Sequence, residues 1–168
     1  QQHIALHLFH GKPLILLQVE FFLRFGITHI TLLTQNPSRG LREALVDFPV
    51  SIVEGSGKGN AESLRVLKGE LSSDFLVMSG DTFNDFDLSK MIQKHLQLGK
   101  TATMGLMTRE KSDSYGTAIL DGDLIVDFKE KKKSSSHIVN AGIYLFKPEI
   151  FEFLDASSLE RDMFPDLA

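Results

Sequence analysis

Asp74-Phe75-Leu76-Val77-Met78, followed by Ser79-Gly80-Asp81-Thr82, is the stretch of this sequence that decides its fold. The apolar run predicts a short strand that is buried on both faces. The polar residues that follow, with a glycine among them, predict a loop. In open α/β sheets the functional groups lie on the loops after the carboxyl ends of the strands. We therefore expect the loop that carries Asp81 to belong to a functional site.

Helices and strands alternate on both sides of this stretch as far as residue 100. We predict helices over residues 14–25, 41–46, 61–71 and from Leu88 onward, and strands over residues 27–34, 50–53 and 74–78. Such alternation is typical of a parallel sheet covered by helices on both faces. Further short strands are predicted over residues 101–108, 116–120, 124–128 and 138–146. The expected fold class is α/β, with a Rossmann-like, three-layer, mixed and mostly parallel sheet, helices on both faces and a small β meander extension.

The composition limits the class of protein. The 168 residues carry a net charge of −4, and 42% of them are hydrophobic, which suits the core of one globular domain. The net negative charge does not favour binding to nucleic acid, which needs an excess or a concentrated patch of basic residues. The longest apolar run, residues 13–25, is too short and too charged to span a bilayer. The absence of cysteine excludes disulfide scaffolds, thiolate metal sites and cysteine nucleophiles. We expect a single cytoplasmic domain that binds neither nucleic acid nor membranes.

A glycine-rich loop, Gly55-Ser56-Gly57-Lys58-Gly59-Asn60, joins a predicted strand to a predicted helix. Backbone amides and the helix dipole bind phosphate in this setting. The loop is not a dinucleotide fingerprint, which needs Gly or Ala where Asn60 stands, nor a P-loop, which needs glycine where Ile52 stands. Lys58 favours an anion or nucleotide site. The alternative is a glycine turn that only closes the strand-to-helix connection.

The acidic loop places Asp81 directly after a buried strand. One or two carboxylates in such a position, together with water, hold Mg²⁺ against substrate phosphates in many proteins. Asp85 and Asp87 are close enough in sequence to assist, and Asp87 also fits the N-cap of the next helix. The alternative is that Asp81 only begins a turn and Asp87 only caps the helix.

A basic loop contains Lys129, Lys131, Lys132 and Lys133, with Glu130 among them, in an otherwise acidic chain. Such a cluster favours a phosphate-bearing partner, and the alternative is a loop that is simply solvated. Glycines inside predicted strands often mark a close approach of a ligand to the backbone. This applies to Asn140-Ala141-Gly142 and to the Tyr115-Gly116 pair.

Taken in order along the chain, these motifs resemble those of the sugar-phosphate nucleotidyltransferases, which make nucleotide sugars. Residues 57–61 are similar to a Gly-Thr-Ala-Gly-Ala loop of that family, and Ser79-Gly80-Asp81 is similar to its Asn-Gly-Asp metal motif. The similarity extends over nearly the whole chain and includes Gly11-Lys12-Pro13, Tyr115-Gly116 and residues 25–30, 128–131, 140–144 and 159–165. Residues 80–90 are most similar to bacterial heptose 1-phosphate guanylyltransferases.

The resemblance implies that a sugar 1-phosphate oxygen attacks the α-phosphate of a nucleoside triphosphate and that pyrophosphate leaves, with Mg²⁺ as the cofactor. It implies that Asp81 and Lys131 are catalytic: Asp81 holds the metal and Lys131 binds the sugar phosphate. Glu130 is expected to hydrogen-bond sugar hydroxyls. The other substrate-binding residues that it implies are Gly57, Lys58, Gly59, Asn60, Gly80, Tyr115, Gly116, Asn140 and Gly142.

The family also has segments that have no match within this chain. Before the position of Gly11 it has a strand, a glycine-rich loop with Arg and a Pro-Lys pair, and after the Phe-Pro motif it has a second metal carboxylate. We therefore expect the domain of residues 1–168 to be incomplete at both ends. Two alternatives stay open: a noncatalytic sugar-nucleotide-binding or regulatory relative, and a choline-phosphate-type cytidylyltransferase, against which the absence of Trp argues. A homo-oligomer is also left open.

Overall fold

The computed structural model describes residues 4–110, 114–131, 136–154 and 158–168. The helices are α1 (Leu14–Arg24), α2 (Arg39–Leu45), α3 (Asn60–Arg65), α4 (Leu88–Leu98) and α5 (Phe164–Leu167). The strands are β1 (Leu8–Phe9), β2 (Lys12–Pro13), β3 (Ile30–Thr34), β4 (Val50–Glu54), β5 (Phe75–Met78), β6 (Ala102–Thr108), β7 (Gly116–Asp121), β8 (Leu124–Glu130) and β9 (Ile138–Phe146). Short 3₁₀-helices cover Ile4–Leu6 and Pro148–Glu152, and a π-helical turn covers Leu159–Met163.

The long strand β9 organises the main sheet. Along one edge it pairs with β6, from Ala102 opposite Phe146 to Thr108 opposite Ile138. Two strands pair along the other edge of β9. β5 pairs with the C-terminal end of β9, and β7 pairs with β9 at Val139. β7 and β8 form a hairpin. Residues 140–142 of β9 therefore lie at the junction between two different neighbouring strands.

The side chains of β9 alternate between two cores, as the pleat of a strand requires. Ile143 and its odd-numbered neighbours Ala141 and Leu145 pack with Phe21 of α1 and with residues of α4. Tyr144 and Phe146 pack on the opposite face with residues of the C-terminal segment, residues 158–168. The sheet is thus covered on both faces, which gives the predicted three layers.

The strand directions differ from the expectation in one respect. The sheet is mixed, as predicted, and β3 pairs with β4 in parallel. The other strand pairs among the described residues are antiparallel, so the pairing is not mostly parallel there. The reason is that β9 arrives from the β7–β8 hairpin and enters the sheet between β5 and β6, which both run in the opposite direction to it.

Helix boundaries follow the local sequence signals. Asp87 accepts a hydrogen bond from Lys90 N at the start of α4, and Gly99 ends that helix in the left-handed conformation. Helix α3 is shorter than the predicted 61–71, because the chain after Arg65 continues as turns and Gly69 disfavours the helix. Within the described part of the chain, no helix combines the length and the apolar character needed to cross a membrane.

Candidate active site

A cavity of about 1100 Å³ opens beside residues 140–142 of β9, at the junction of β5 and β7. Its walls come from the acidic loop, the hairpin of β7 and β8, β9 and the C-terminal segment. Ten of the twelve predicted site residues line it: Gly59, Asn60, Gly80, Asp81, Tyr115, Gly116, Glu130, Lys131, Asn140 and Gly142. Ligand sites in proteins typically occupy about 300–1,000 Å³, so the cavity is large enough to be a ligand site.

Two predicted residues, Gly57 and Lys58, are not among those that line the cavity. Lys58 is exposed, and its Nζ lies 3.7 Å from Oε1 of Glu62 one helical turn later. Gly57 is exposed as well and has a φ of +77°, which glycine adopts without strain. The roles predicted for these two residues stay predictions.

The acidic turn, residues 79–82, forms one wall of the cavity. Ser79 N donates to Gly142 O at 2.8 Å, and Thr82 Oγ1 donates to Ser79 O at 3.0 Å. These bonds fix the two ends of the turn, whereas Gly80 and Asp81 between them are exposed at the cavity. Asp81 therefore presents its carboxylate from a turn that is anchored to β9.

The donors around Asp81 fit a divalent metal only together with a substrate. The described residues contain no group of three or more His, Asp or Glu that could hold a metal ion. Mg²⁺ is usually bound by one or two carboxylates together with water and substrate phosphates. Asp81 meets that requirement as a single ligand, but within the described part of the chain it does not form a metal cage with other side chains. The predicted metal role of Asp81 stays a prediction.

Glu130 and Lys131 lie side by side at the end of β8. The Glu130 side chain is 15% exposed and Lys131 Nζ lies 3.5 Å from Glu130 Oε1, so a mostly buried carboxylate and an exposed ammonium face the cavity together. Gly116 makes room for this pair, because a Cβ at that position would overlap the ring of Phe128 and lie 2.7 Å from Glu130 Oε2. The sequence predicted that a ligand approaches the backbone at Gly116. In the structure, the group that lies close to Gly116 is the carboxylate of Glu130.

The floor of the cavity is a hydrogen-bonded group on β9. Asn140 Nδ2 donates to the Tyr144 hydroxyl at 2.7 Å, and Asn140 Oδ1 accepts from Gly142 N at 2.8 Å. Gly142 has a φ of +71°, a left-handed conformation that favours glycine. Burial, reinforced by the charge of Glu160, raises the pKa of Tyr144 well above its usual range. The hydroxyl therefore stays a neutral donor and acceptor.

Glu160 is a cavity residue that sequence reasoning did not select. Its Oε1 accepts from the Tyr144 hydroxyl at 3.3 Å, and its Oε2 accepts from Asn60 Nδ2 at 2.8 Å. Asn60 Oδ1 in turn accepts from Leu159 N at 2.9 Å. The side chain of Asn60 therefore ties the glycine loop to the C-terminal segment. The signal for Glu160 was present, because it stands in the Leu159–Pro165 motif, but the motif by itself does not show which residue faces the cavity.

The basic cluster is described only in part. Lys129 and Lys131 line the cavity, and Lys129 Nζ lies 3.2 Å from Asp127 Oδ2. Lys132 and Lys133 lie outside the described residues. The prediction of a phosphate-binding role for the cluster thus depends here on Lys131.

Comparison with known proteins identifies the class of this chain. The pattern of the Nucleotidyl transferase family matches residues 3–166, and the chain belongs to that family. A protein of Sulfolobus acidocaldarius that is assigned by name to the mannose-1-phosphate guanyltransferases is 37% identical over an alignment of 121 positions, which covers 70% of this chain and 34% of that protein. Mannose-1-phosphate guanyltransferase beta-B of Xenopus laevis is 30% identical over an alignment of 175 positions, which covers 95% of this chain and 49% of that protein.

The solved structures that are similar to this chain confirm the fold. HddC from Yersinia pseudotuberculosis superposes with a TM-score of 0.81 at 22% identity, over 98% of this chain and 77% of that chain. HddC complexed with GMP-PN gives a TM-score of 0.79 at 23% identity, with the same coverage. The α/β Rossmann-like class is therefore confirmed, and the family match over residues 3–166 confirms the resemblance to nucleotidyltransferases. The chain spans between about a third and half of the length of the two curated relatives described above.

Proposed function

We propose that the protein to which this chain belongs transfers a nucleotidyl group from a nucleoside triphosphate to a sugar 1-phosphate. The observation that carries the proposal is the single cavity that holds Asp81, Glu130 and Lys131 together. These groups match the needs of the reaction: a carboxylate for a metal, an acceptor for sugar hydroxyls and a cation for a phosphate. Membership of the Nucleotidyl transferase family supports the same reaction class.

In the proposed reaction an oxygen of the sugar phosphate forms a bond to the α-phosphorus of the triphosphate. The bond from that phosphorus to the oxygen that bridges to the β-phosphate breaks, and pyrophosphate leaves with the electron pair. Lys131 binds the sugar phosphate, because its ammonium, although paired with Glu130, is exposed at the cavity and can also contact an anion there. Glu130 accepts hydrogen bonds from sugar hydroxyls beside it. Together they orient the attacking oxygen, and orientation supplies much of the rate in phosphoryl-type transfers.

Asp81 is the residue that would hold Mg²⁺, which when bound neutralises charge on the phosphates. Ser79 N donates to Gly142 O and Thr82 Oγ1 closes the turn onto Ser79 O, so the backbone that carries Asp81 is held in place before substrate arrives. The glycine loop contributes Gly59 and Asn60 to the cavity wall, and we assign it to the nucleotide.

We propose GTP and mannose 1-phosphate as the first pair of substrates to test. The names of the relatives support this choice, and the HddC complex with GMP-PN supports a guanine nucleotide. Heptose 1-phosphate is the second sugar to test, since residues 80–90 are similar to heptose 1-phosphate guanylyltransferases. We further propose that the reaction takes place in the cytoplasm, where nucleoside triphosphates are supplied, and that the nucleotide sugar serves cell-surface polysaccharide.

The test is pyrophosphate release by the full-length protein with GTP, each sugar phosphate and Mg²⁺ or EDTA. Asp81→Asn is expected to lower turnover by about 100-fold or more, because metal stabilisation of the transition state supplies several kcal/mol. Asp87→Asn is the matched control, since Asp87 caps α4 and lies outside the cavity lining. Unchanged turnover in Asp81→Asn would remove Asp81 from the metal site. No turnover with any nucleotide and sugar phosphate would instead favour a noncatalytic sugar-nucleotide-binding relative.

A further inference from the structure

Gln18 is a buried polar residue on α1, a helix whose inner face is otherwise apolar. Its side chain is 5% exposed, and the neighbouring Leu14, Ile15, Val19 and Phe21 are buried as well. A buried carboxamide costs stability unless its hydrogen bonds are made, so an apolar residue would be the simpler choice for packing at this position. The contacts of Gln18 show what the amide does there.

The carboxamide of Gln18 reaches across the domain to the acidic turn. Its Nε2 donates to Ser79 O at 2.9 Å and to Thr82 O at 2.5 Å. These are the first and last carbonyls of the turn that carries Asp81. One side chain, more than sixty positions away in sequence, therefore uses both of its N–H groups on the two ends of this turn.

The same turn is held from its other side by β9. Ser79 N donates to Gly142 O at 2.8 Å, and Asn84 Nδ2 donates to Ala141 O at 2.9 Å. The turn therefore lies between α1 and β9, with its two end carbonyls directed at Gln18. Gly80 and Asp81, the two residues between those ends, are exposed at the cavity.

We propose that Gln18 is a positioning residue for Asp81: it fixes the two ends of the acidic turn so that the carboxylate faces the cavity in one orientation. The inference rests on the proposed role of Asp81 as a metal ligand. Among the described residues no group of three or more His, Asp or Glu surrounds Asp81, so metal binding by this part of the chain depends on how the Asp81 carboxylate itself is oriented.

The experiment uses the complete chain and two readouts that do not require turnover. The first is hydrogen exchange at the amides of Ser79 and Thr82, which donate to Gly142 O and Ser79 O. The second is paramagnetic broadening of the amide signals of Gly80 and Asp81 by Mn²⁺ in the presence of GTP and without a sugar phosphate, with Mg²⁺ as competitor, because the nucleotide phosphates supply ligands that Asp81 alone does not. In Gln18→Leu we expect faster exchange at both amides and at least about fivefold more Mn²⁺ for the same broadening, since two hydrogen bonds are lost.

Val19→Ala is the matched control, because it removes buried apolar contacts on the same helix and Val19 packs in a cluster that contains no residue of the turn. It is expected to lower stability and to leave the response to Mn²⁺ unchanged. Gln18→Met keeps the length of the side chain without the amide, and it replaces Gln18→Leu if that variant does not fold. Unchanged Mn²⁺ broadening in a folded Gln18 variant would overturn the inference, even if exchange at the turn increases.

Asp81→Asn separates this inference from the proposed function. If it keeps the Mn²⁺ response of the wild type, then the proposed metal role of Asp81 fails, whatever the Gln18 variants show. If Asp81→Asn loses the response but Gln18→Leu retains it, then only the positioning role of Gln18 fails. Loss of the response in both variants, with Val19→Ala unaffected, supports the inference.

Discussion

The hydroxyl of Tyr144 and Oε1 of Glu160 lie 3.3 Å apart, and this contact joins β9 to the C-terminal segment at the floor of the cavity. Asn140 donates to the same hydroxyl, and Asn60 donates to the other oxygen of Glu160. Three parts of the cavity wall thus meet at one hydroxyl and one carboxylate. The shape of the cavity depends on this small network as well as on the apolar core beneath it.

Removing the Tyr144 hydroxyl is expected to destabilise the protein. In Tyr144→Phe the ring remains, but Asn140 and Glu160 both lose a partner, so we expect a loss of about 1–3 kcal/mol in the free energy of unfolding. Urea unfolding monitored by circular dichroism measures this loss. Tyr115→Phe is the control, because Tyr115 lies at the cavity outside this network, and it should change stability by less than about 0.5 kcal/mol. Equal stability of the two variants would show that the network contributes nothing.

The sequence predicted much of the fold because its signals are local. The apolar strand before Ser79 and the cap at Asp87 each specify a short segment, and each lies where it was predicted. Strand pairing was less predictable, since it is decided by which strands meet in space. The insertion of β9 between β5 and β6 leaves no local mark in the sequence.

The same distinction applies to the candidate site. Asp81, Glu130 and Lys131 stand out because each motif is visible over a few residues, and the structure brings them into one cavity. Gln18 and Glu160 could not be selected in this way. Gln18 is visible only as a polar residue on an apolar helix, and its partners are more than sixty positions away. Long-range hydrogen bonds are specified by tertiary packing, which a single sequence does not display.

Lys131 is expected to affect one substrate more than the other. If it binds the sugar phosphate, Lys131→Met should raise KM for the sugar 1-phosphate by about tenfold or more, as expected for a lost charge-assisted hydrogen bond, and leave KM for the nucleoside triphosphate within about twofold. Steady-state pyrophosphate release measures both constants. Lys90→Met is the control, since Lys90 lies on α4 and pairs with Asp87. An equal rise in both KM values would contradict the assignment of Lys131 to the sugar phosphate.

Gly116→Ala is expected to disturb Glu130 through packing. The new Cβ would overlap the ring of Phe128 and lie 2.7 Å from Glu130 Oε2, so one of these side chains must move. Overpacking of this kind costs about 1–3 kcal/mol, and displacement of Glu130 should also raise KM for the sugar 1-phosphate. Thermal unfolding and kinetics measure the two effects. Gly69→Ala is the control, because nothing lies within 4 Å of a Cβ at that position. If Gly116→Ala and Gly69→Ala have the same stability and the same KM, then Phe128 and Glu130 move aside for the added methyl group without a measurable cost.

His95 is expected to make the protein less stable in mild acid. It is 1% exposed, its Nδ1 lies 2.7 Å from Thr103 Oγ1, and burial lowers its pKa, with Lys147 acting in the same direction and Asp74 against it. The unfolded chain therefore binds the proton more readily than the folded one. The neutral His95 contributes its full stabilisation above pH 6.5, roughly the pKa of histidine in the unfolded chain. This contribution is lost as the pH falls from there toward the lowered pKa of the folded state. The free energy of unfolding then changes by at most about 1.4 kcal/mol per pH unit. Urea unfolding from pH 7.5 downward measures this slope, which should be smaller in His95→Gln and unchanged in the exposed-site control His29→Gln. The same slope in His95→Gln and in the wild type would assign the acid sensitivity to other groups.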